Sequence, residues 1–322
     1  MNLDPPEIPG YRVVEPFECI QTNLSVTFKY QRVGGGGFVA IKFPLYRGNF
    51  SVSDGHQNDT ESLLEFRREI QFLKCISSTD VHIVHYVNDS EIMWDLNQPQ
   101  FKIPYLITKW INGGTLDKWV VQGRKLPERV TVMRNMISSV AGLHEKGVIH
   151  NDLKVNQIMV NERGQPLLLD FGRAKVTPMP GSIDGFTAPE LYDPDPTNSF
   201  HIDVYSLGVI LYLTLSDRPK ELMEAYFAEL NSRNTRGYLD IQNLGPVKSA
   251  CSNLSTSLQK VISRCLSEDT SKRYRNAEML LKAVDEAEGS QQRDKQASSW
   301  PVWILIPGIA LCIGILFKIW MP

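Results

Sequence analysis

Residues 11–45 alternate apolar and polar positions and are rich in β-branched side chains, with Gly34-Gly35-Gly36-Gly37 interrupting the alternation. A period of two broken by glycines predicts strands joined by a turn. Leu63, Phe66, Ile70 and Leu73 then fall at helical spacing, which predicts a helix over residues 63–76. Further strands end in Tyr105-Leu106-Ile107-Thr108, and Asn112-Gly113-Gly114 reads as a loop. From Pro127 the period becomes helical. Val130, Met133, Ile137, Val140 and His144 share one face, and Pro127 suits a first helical turn. A mostly apolar helix is expected over residues 204–215, and mixed helices at about 220–230, 258–266 and 276–287. A small β-rich lobe thus precedes a larger helical lobe, without internal repeats. That is an α+β, bilobal architecture.

The C-terminal pattern is different. Residues 300–317 carry no charge, and Lys318 follows. As a helix these residues span about 27 Å, near the roughly 30 Å of a bilayer core. Trp300, Trp303 and Trp320 lie near the two ends, where interfacial aromatics belong, and Pro307-Gly308 would kink such a helix without forbidding it. The segment shows no polar face, unlike a helix packed on a protein surface. A transmembrane anchor is expected over residues 300–320, with residues 288–299 as a polar linker. Arg293 and Lys295 precede the span and Lys318 follows it, a slight charge bias that leaves the preceding domain in the cytoplasm. So little chain follows the span that a simple tether is expected, not a sensor. The N-terminal Met1-Asn2-Leu3-Asp4-Pro5-Pro6 has neither the basic nor the apolar part of a signal peptide, and position 2 lacks the glycine of a myristoylation site.

Bulk composition changes this picture little. The 322 residues are 42% hydrophobic and 22% charged, ordinary for a globular chain with room for two lobes. A formal net charge of -2 gives nothing to favour nucleic acid, so no nucleic-acid partner is expected. Five scattered cysteines form neither a disulfide framework nor a zinc pattern, which fits a reducing compartment.

The candidate chemistry lies in two acidic tripeptides. His150-Asn151-Asp152 is followed by Asp170-Phe171-Gly172, with the apolar run Leu167-Leu168-Leu169 just before the second. Two carboxylates at strand ends, one near Lys154, suit phosphoryl transfer. One orients a hydroxyl nucleophile and the other holds magnesium on the phosphates. With Val39-Ala40-Ile41-Lys42 and Phe66-Arg67-Arg68-Glu69-Ile70, the chain resembles the protein kinase family over residues 8–287, with a small lobe at about 8–110 and a large lobe at about 111–287. The resemblance implies ATP as donor, Mg2+ as cofactor and a protein hydroxyl as acceptor. It implies Lys42 on the ATP phosphates, steadied by Glu69. Thr108 would be the gatekeeper, the backbone from Lys109 to Ile111 would bind adenine, and Ala40 and Met159 would sandwich the ring. Asp152 would orient the acceptor hydroxyl, Lys154 would neutralise the transferring group, and Asp170 and Gln157 would hold magnesium. Phe171 and His150 would join a lobe-bridging apolar spine with Leu73. A lysine at position 154 is the Ser/Thr kinase pattern. Ala188-Pro189-Glu190, Asp203 and Arg273 match architectural positions of the same family.

Four features depart from the pattern. Ile20, Thr22 and Ser25 fall where a glycine-rich loop would lie, and none is glycine. The glycines at 34–37 lie only five residues before Lys42, so they form the next turn instead. Asn151 replaces the arginine that reads a phosphate on the activation segment. Gln157 replaces the asparagine that holds a second metal, so its amide carbonyl sits one methylene further out, and Asn156 beside it is a second amide within reach. The short segment between Asp170 and Glu190 has Ile183 where the family places a P+1 threonine, with Ser182 adjacent. The sequence thus supports a membrane-anchored Ser/Thr protein kinase. The alternative is a pseudokinase, a membrane-tethered nucleotide-binding or scaffold module on the same fold. A third reading is a kinase-fold enzyme acting on a non-protein substrate. Oligomeric state is not legible.

Overall fold

Strand pairing explains why the small lobe reads with a period of two. In a computed structural model, which describes residues 3–16, 19–22, 25–45, 57–76, 82–94, 102–174, 186–192, 199–232 and 244–298, β3 (Ser25–Arg32) runs antiparallel to β4 (Phe38–Pro44). Their register sets Val26 opposite Phe43, Phe28 opposite Ile41 and Tyr30 opposite Val39. All six side chains are buried together with Tyr105 and Ile107 in one apolar cluster. Side chains opposite one another across a ladder share a face, so the intervening pairs, Thr27 with Lys42 and Lys29 with Ala40, face the other way. Lys42 is thereby aimed away from the lobe's own core and toward the rest of the molecule.

The sheet is completed by β1 (Tyr11–Val13) and β2 (Cys19–Gln21), both on β3, and by β5 (Tyr86–Met93) and β6 (Lys102–Lys109), in the order β1-β3-β4-β6-β5. Gly34 and Gly35 make the β3–β4 turn with φ of 88° and 95°, as the glycine run predicts. Helix α1 (Gln57–Ile76) buries Phe66, Ile70 and Leu73, three of the four positions its spacing singled out, and leaves Leu63, near its start, half-buried. These join a larger core that includes Leu106 of β6 and most of the helical lobe.

In the large lobe, β7 (Gly113–Thr115), β8 (Ile158–Asn161) and β9 (Pro166–Leu168) form a small antiparallel sheet. Asn112-Gly113-Gly114 was expected to be a loop, yet Gly113 and Gly114 lie in β7. The reason is local. Gly113 has φ 148°, and a Cβ there would stand 2.0 Å from the Val160 carbonyl oxygen, so only glycine lets these two chains pair. Helix α2 (Leu116–Val121) follows, too short for its period to show in the sequence. Helix α3 (Leu126–Glu145) buries Val130, Met133, Ile137, Val140 and His144, the predicted stripe. In α4 (His201–Leu215) every residue after His201 is buried, which is why that segment carries no polar face. Around it lie α5 (Pro219–Ser232), α6 (Val247–Ala250), α7 (Thr256–Cys265) and α8 (Ala277–Ser298). Helix α8 continues to Ser298, over most of the stretch read as linker. No described helix is long and apolar enough to cross a membrane, and the expected anchor at 300–320 lies outside the described residues, as do Ser182 and Ile183.

Candidate active site

A cleft of about 330 Å³ opens between the lobes, and Lys42, Glu69, Asp152, Lys154, Gln157 and Asp170 all line it. Lys42, presented by β4, meets Glu69 of α1 with Nζ–Oε2 2.7 Å and Nζ–Oε1 3.0 Å, and lies 3.6 Å from Asp170 Oδ2. Residues 27 positions apart in sequence thus form one charged cluster. Burial lifts the Glu69 carboxyl to about 7, against the pull of Lys42 and with added repulsion from Asp170. The same burial works against the Lys42 ammonium, but the Asp170 and Glu69 carboxylates outweigh it and hold Lys42 above the usual lysine range. Asp170 is held below the usual carboxylate range. Burial would raise it, but the Lys42 ammonium, the Gly172 N–H and the charges at His150 and Lys154 prevail. Of the two carboxylates in this cluster, Asp170 is therefore the more firmly ionised.

The floor of the cleft is the loop before β8, which ends in a 3-10 turn over Val155–Gln157. Asp152 there engages both carboxylate oxygens. Oδ1 lies 2.8 Å from Lys154 Nζ, and Oδ2 accepts a bond from Gln157 Nε2 at 2.9 Å. With its amide nitrogen on Asp152, Gln157 keeps a buried carbonyl Oε1 that has no hydrogen-bond partner among the described residues. Asn156 is exposed on the same cleft.

The backbone of this loop is fixed from beneath. Asp203, fully buried at the start of α4, accepts from His150 N at 2.7 Å, Asn151 N at 2.8 Å and His144 Nε2 at 2.9 Å. His144 Nδ1 in turn accepts the Ala277 N–H at 3.0 Å, so the imidazole carries its proton on Nε2 and links α3, α4 and α8. Burial would raise the Asp203 carboxyl, but the hydrogen bonds from His144 and from the His150 N–H outweigh it and hold it low. Asn151 and Asp170 have φ of 61° and 57°, the positive-φ non-glycine residues of the described chain. Asn and Asp enter this left-handed region more readily than other side chains, which gives the asparagine at position 151 a backbone rationale.

The other matched positions fall into place. Phe171 packs 4.9 Å from His150, as expected, but the ring stacked on it at 4.7 Å belongs to Phe72, which the sequence reading passed over. Leu73, one position on, is fully buried in the same core. Arg273 pairs in a fork with Glu190, at 2.7 and 2.9 Å. Thr108 is buried opposite Ala40 in the β4–β6 ladder, and Ala40 and Met159 are half-buried, but none of the three is among the residues that line this cleft. The Lys109 N–H is taken by the His85 carbonyl at 2.9 Å and the Trp110 N–H by the Phe38 carbonyl at 3.1 Å. At the front, the β2–β3 hairpin is closed by hydroxyls. The Ser25 N–H donates to Thr22 Oγ1 at 3.0 Å, and the Thr22 N–H donates to the Ser25 carbonyl at 2.8 Å.

With this geometry established, the comparisons agree. Residues 25–284 match the family described as Protein kinase domain. The chain belongs to the protein kinase family, and that membership implies ATP as the phosphoryl donor and a magnesium requirement. It is 25% identical over 293 residues to Serine/threonine-protein kinase D of Synechocystis sp., covering 81% of this chain and 53% of that one. It is 30% identical over 218 residues to CBL-interacting protein kinase 1 of Oryza sativa subsp. japonica, covering 62% of this chain and 45% of that one. It is 26% identical over 316 residues to human Serine/threonine-protein kinase DCLK3, covering 91% and 46%. The chain thus spans about half the length of these relatives.

Proposed function

We propose that this protein is a Ser/Thr protein kinase that transfers the ATP γ-phosphoryl group to a protein hydroxyl. The observation that carries the reading is the convergence of Lys42, Glu69, Asp152, Lys154 and Asp170 on one cleft. The acceptor oxygen attacks the γ-phosphorus while the bond to the β-phosphate oxygen breaks and ADP leaves. The acceptor's proton passes to Asp152, whose carboxylate is steadied by Lys154 and Gln157. Lys154 also offsets the charge on the transferring group. Lys42, held by Glu69, binds the phosphates. Adenine would lie between Ala40 and Met159. The Lys109 and Trp110 N–H groups are engaged within the protein, so Ile111 supplies the hinge donor and Lys109 contributes its carbonyl. Asp170 and the unpartnered Gln157 carbonyl would hold magnesium, which neutralises phosphate charge. A buried, unpaired acceptor beside an ionised carboxylate is the donor set that a hard cation takes.

One observation favours the alternative, a membrane-tethered pseudokinase. The hairpin over the phosphates lacks glycine and has its Ser25 N–H turned to Thr22. Transfer of label from γ-labelled ATP by the full chain, to itself or to a general protein acceptor, separates the two. Nucleotide-dependent thermal stabilisation without any transfer would establish the pseudokinase. Residues 300–320 are further proposed to anchor the chain in a membrane, with the kinase domain on the cytoplasmic side, because residues 300–317 lack charge. Resistance to alkaline extraction from membranes, lost when residues 300–322 are removed, is the expected result. Release of the intact chain by alkali would refute the anchor.

A further inference from the structure

Two buried polar atoms among the residues that line the cleft have no hydrogen-bond partner among the described residues, and they are opposite in kind. Gln157 Oε1 is an acceptor and Arg173 Nη1 is a donor. The acceptor fits a cation. The donor calls for an anion, because a buried N–H left unpaired is costly.

Arg173 follows Asp170-Phe171-Gly172 directly. That turn packs tightly on α1, since a Cβ at Gly172 would stand 3.3 Å from the Glu65 carbonyl oxygen. The packing brings the Arg173 side chain to Glu65, with Nε 3.4 Å from Oε1 and only 17% of the side chain exposed. Glu65 lies one helical turn before Glu69, so α1 offers both carboxylates from one face. The three cations of the cleft differ in how closely they are held. Lys42 lies 2.7 Å from Glu69 and Lys154 lies 2.8 Å from Asp152, whereas the Arg173–Glu65 contact is longer and uses Nε. A guanidinium has five N–H groups in a planar fork, so pairing through Nε leaves Nη1 able to donate elsewhere. The cleft also carries four carboxylates, Glu65, Glu69, Asp152 and Asp170, against these three cations, so a polyanion meets net negative charge there and depends on each cation it can reach. Above the cleft the hairpin N–H groups of Thr22 and Ser25 are both engaged, by the Ser25 carbonyl and by Thr22 Oγ1.

We propose that Arg173 is a phosphate-binding residue of this site, its Nη1 donating to the polyphosphate of ATP and doing the work that hairpin backbone N–H groups do where glycines permit close approach. The inference rests on the kinase reading. It assigns a substrate contact to a residue that no motif marks.

The test is calorimetric titration of the full chain with ATP plus Mg2+ and, separately, with adenosine, for the unaltered protein and for Arg173→Met, Arg173→Lys and Glu65→Gln. Loss of a charge-assisted hydrogen bond predicts that Arg173→Met weakens ATP binding by about 10–100-fold. Adenosine, which lacks phosphates, is expected to bind the variant within about threefold of the unaltered protein. Arg173→Lys keeps the charge but not the fork, so a loss of about 3–10-fold for ATP alone is expected, and it serves if Arg173→Met does not fold. Glu65→Gln removes the competing carboxylate and is expected to retain or tighten ATP binding. Equal weakening of ATP and adenosine in Arg173→Met, matched by Glu65→Gln, would reduce Arg173 to a structural partner of α1 and overturn the proposal. Unchanged ATP binding in both Arg173 variants would overturn it while leaving the kinase reading intact. Failure of the unaltered chain to bind ATP would overturn both.

Discussion

The floor and the roof of the cleft are built by different means. The floor rests on Asp203, which accepts hydrogen bonds from two loop N–H groups and from His144 within the core. The roof is a hairpin whose strand β2 is exposed throughout and whose turn is closed by the Thr22 hydroxyl. The difference shows where this chain tolerates departures from its family. On the floor, Asp203 sets the loop backbone from below through the His150 and Asn151 N–H groups, independently of the side chains that the loop carries. On the roof, the backbone itself would be the ligand under the proposed function, and side chains at Thr22 and Ser25 would hinder its close approach. The phosphate contact is then available only from elsewhere in the cleft.

The comparison predicts its largest effect at its base. Asp203→Ala strands three buried donors, and a loss of about 3–5 kcal/mol of stability is expected in denaturant unfolding, together with loss of phosphoryl transfer. A loss under about 1 kcal/mol would show that the floor does not depend on this carboxylate. Asp170→Asn is isosteric and leaves the floor's scaffold alone. It is expected to cut magnesium-dependent transfer by at least about 100-fold with little change in melting temperature. Full magnesium dependence in that variant would remove Asp170 from metal binding.

Glu69 gives a smaller, pH-dependent effect. Its folded carboxyl is raised from the ordinary 4.5 to about 7, so the folded state holds this proton more tightly than the unfolded chain does. Its contribution to stability is therefore fully present below the unfolded value and is lost as pH rises through about 7. Lys42, however, needs the charged carboxylate to hold it. Relative to Glu69→Gln, the unaltered protein is expected to lose melting temperature as pH rises through about 7 and to gain transfer rate over the same window. Parallel pH profiles for the two proteins would contradict this. The smallest effect is predicted on the roof. Thr22→Val keeps the shape and frees the Ser25 N–H, and ATP affinity is expected to change by no more than about threefold. A tenfold loss, read by the same titration, would make the Thr22 hydroxyl a ligand and the roof more than a cover.

Much of this was legible in the sequence because it depends on local period and on short motifs. Alternation fixed which face of β4 carries Ala40 and Lys42, and helical spacing fixed the buried stripe of α3. Lys42, Glu69, Asp152, Lys154, Gln157 and Asp170, singled out by short motifs, line one cleft. Strand β7 was hidden because Gly113-Gly114 reads as a loop until Val160 comes within 2.0 Å of a would-be Cβ. Phe72 was missed because a helical position one step from the predicted Leu73 is equally apolar, and only packing tells them apart.

The sequence by itself determined the two lobes and the candidate reacting groups, since period and motif are properties of neighbours along the chain. Only the tertiary structure decided which way the Gln157 amide turns, which N–H groups of the hinge and hairpin are engaged, and that Arg173 meets Glu65 with one donor to spare. Those outcomes depend on partners distant in sequence or on the competition of several groups for one hydrogen bond, and no local pattern encodes the winner.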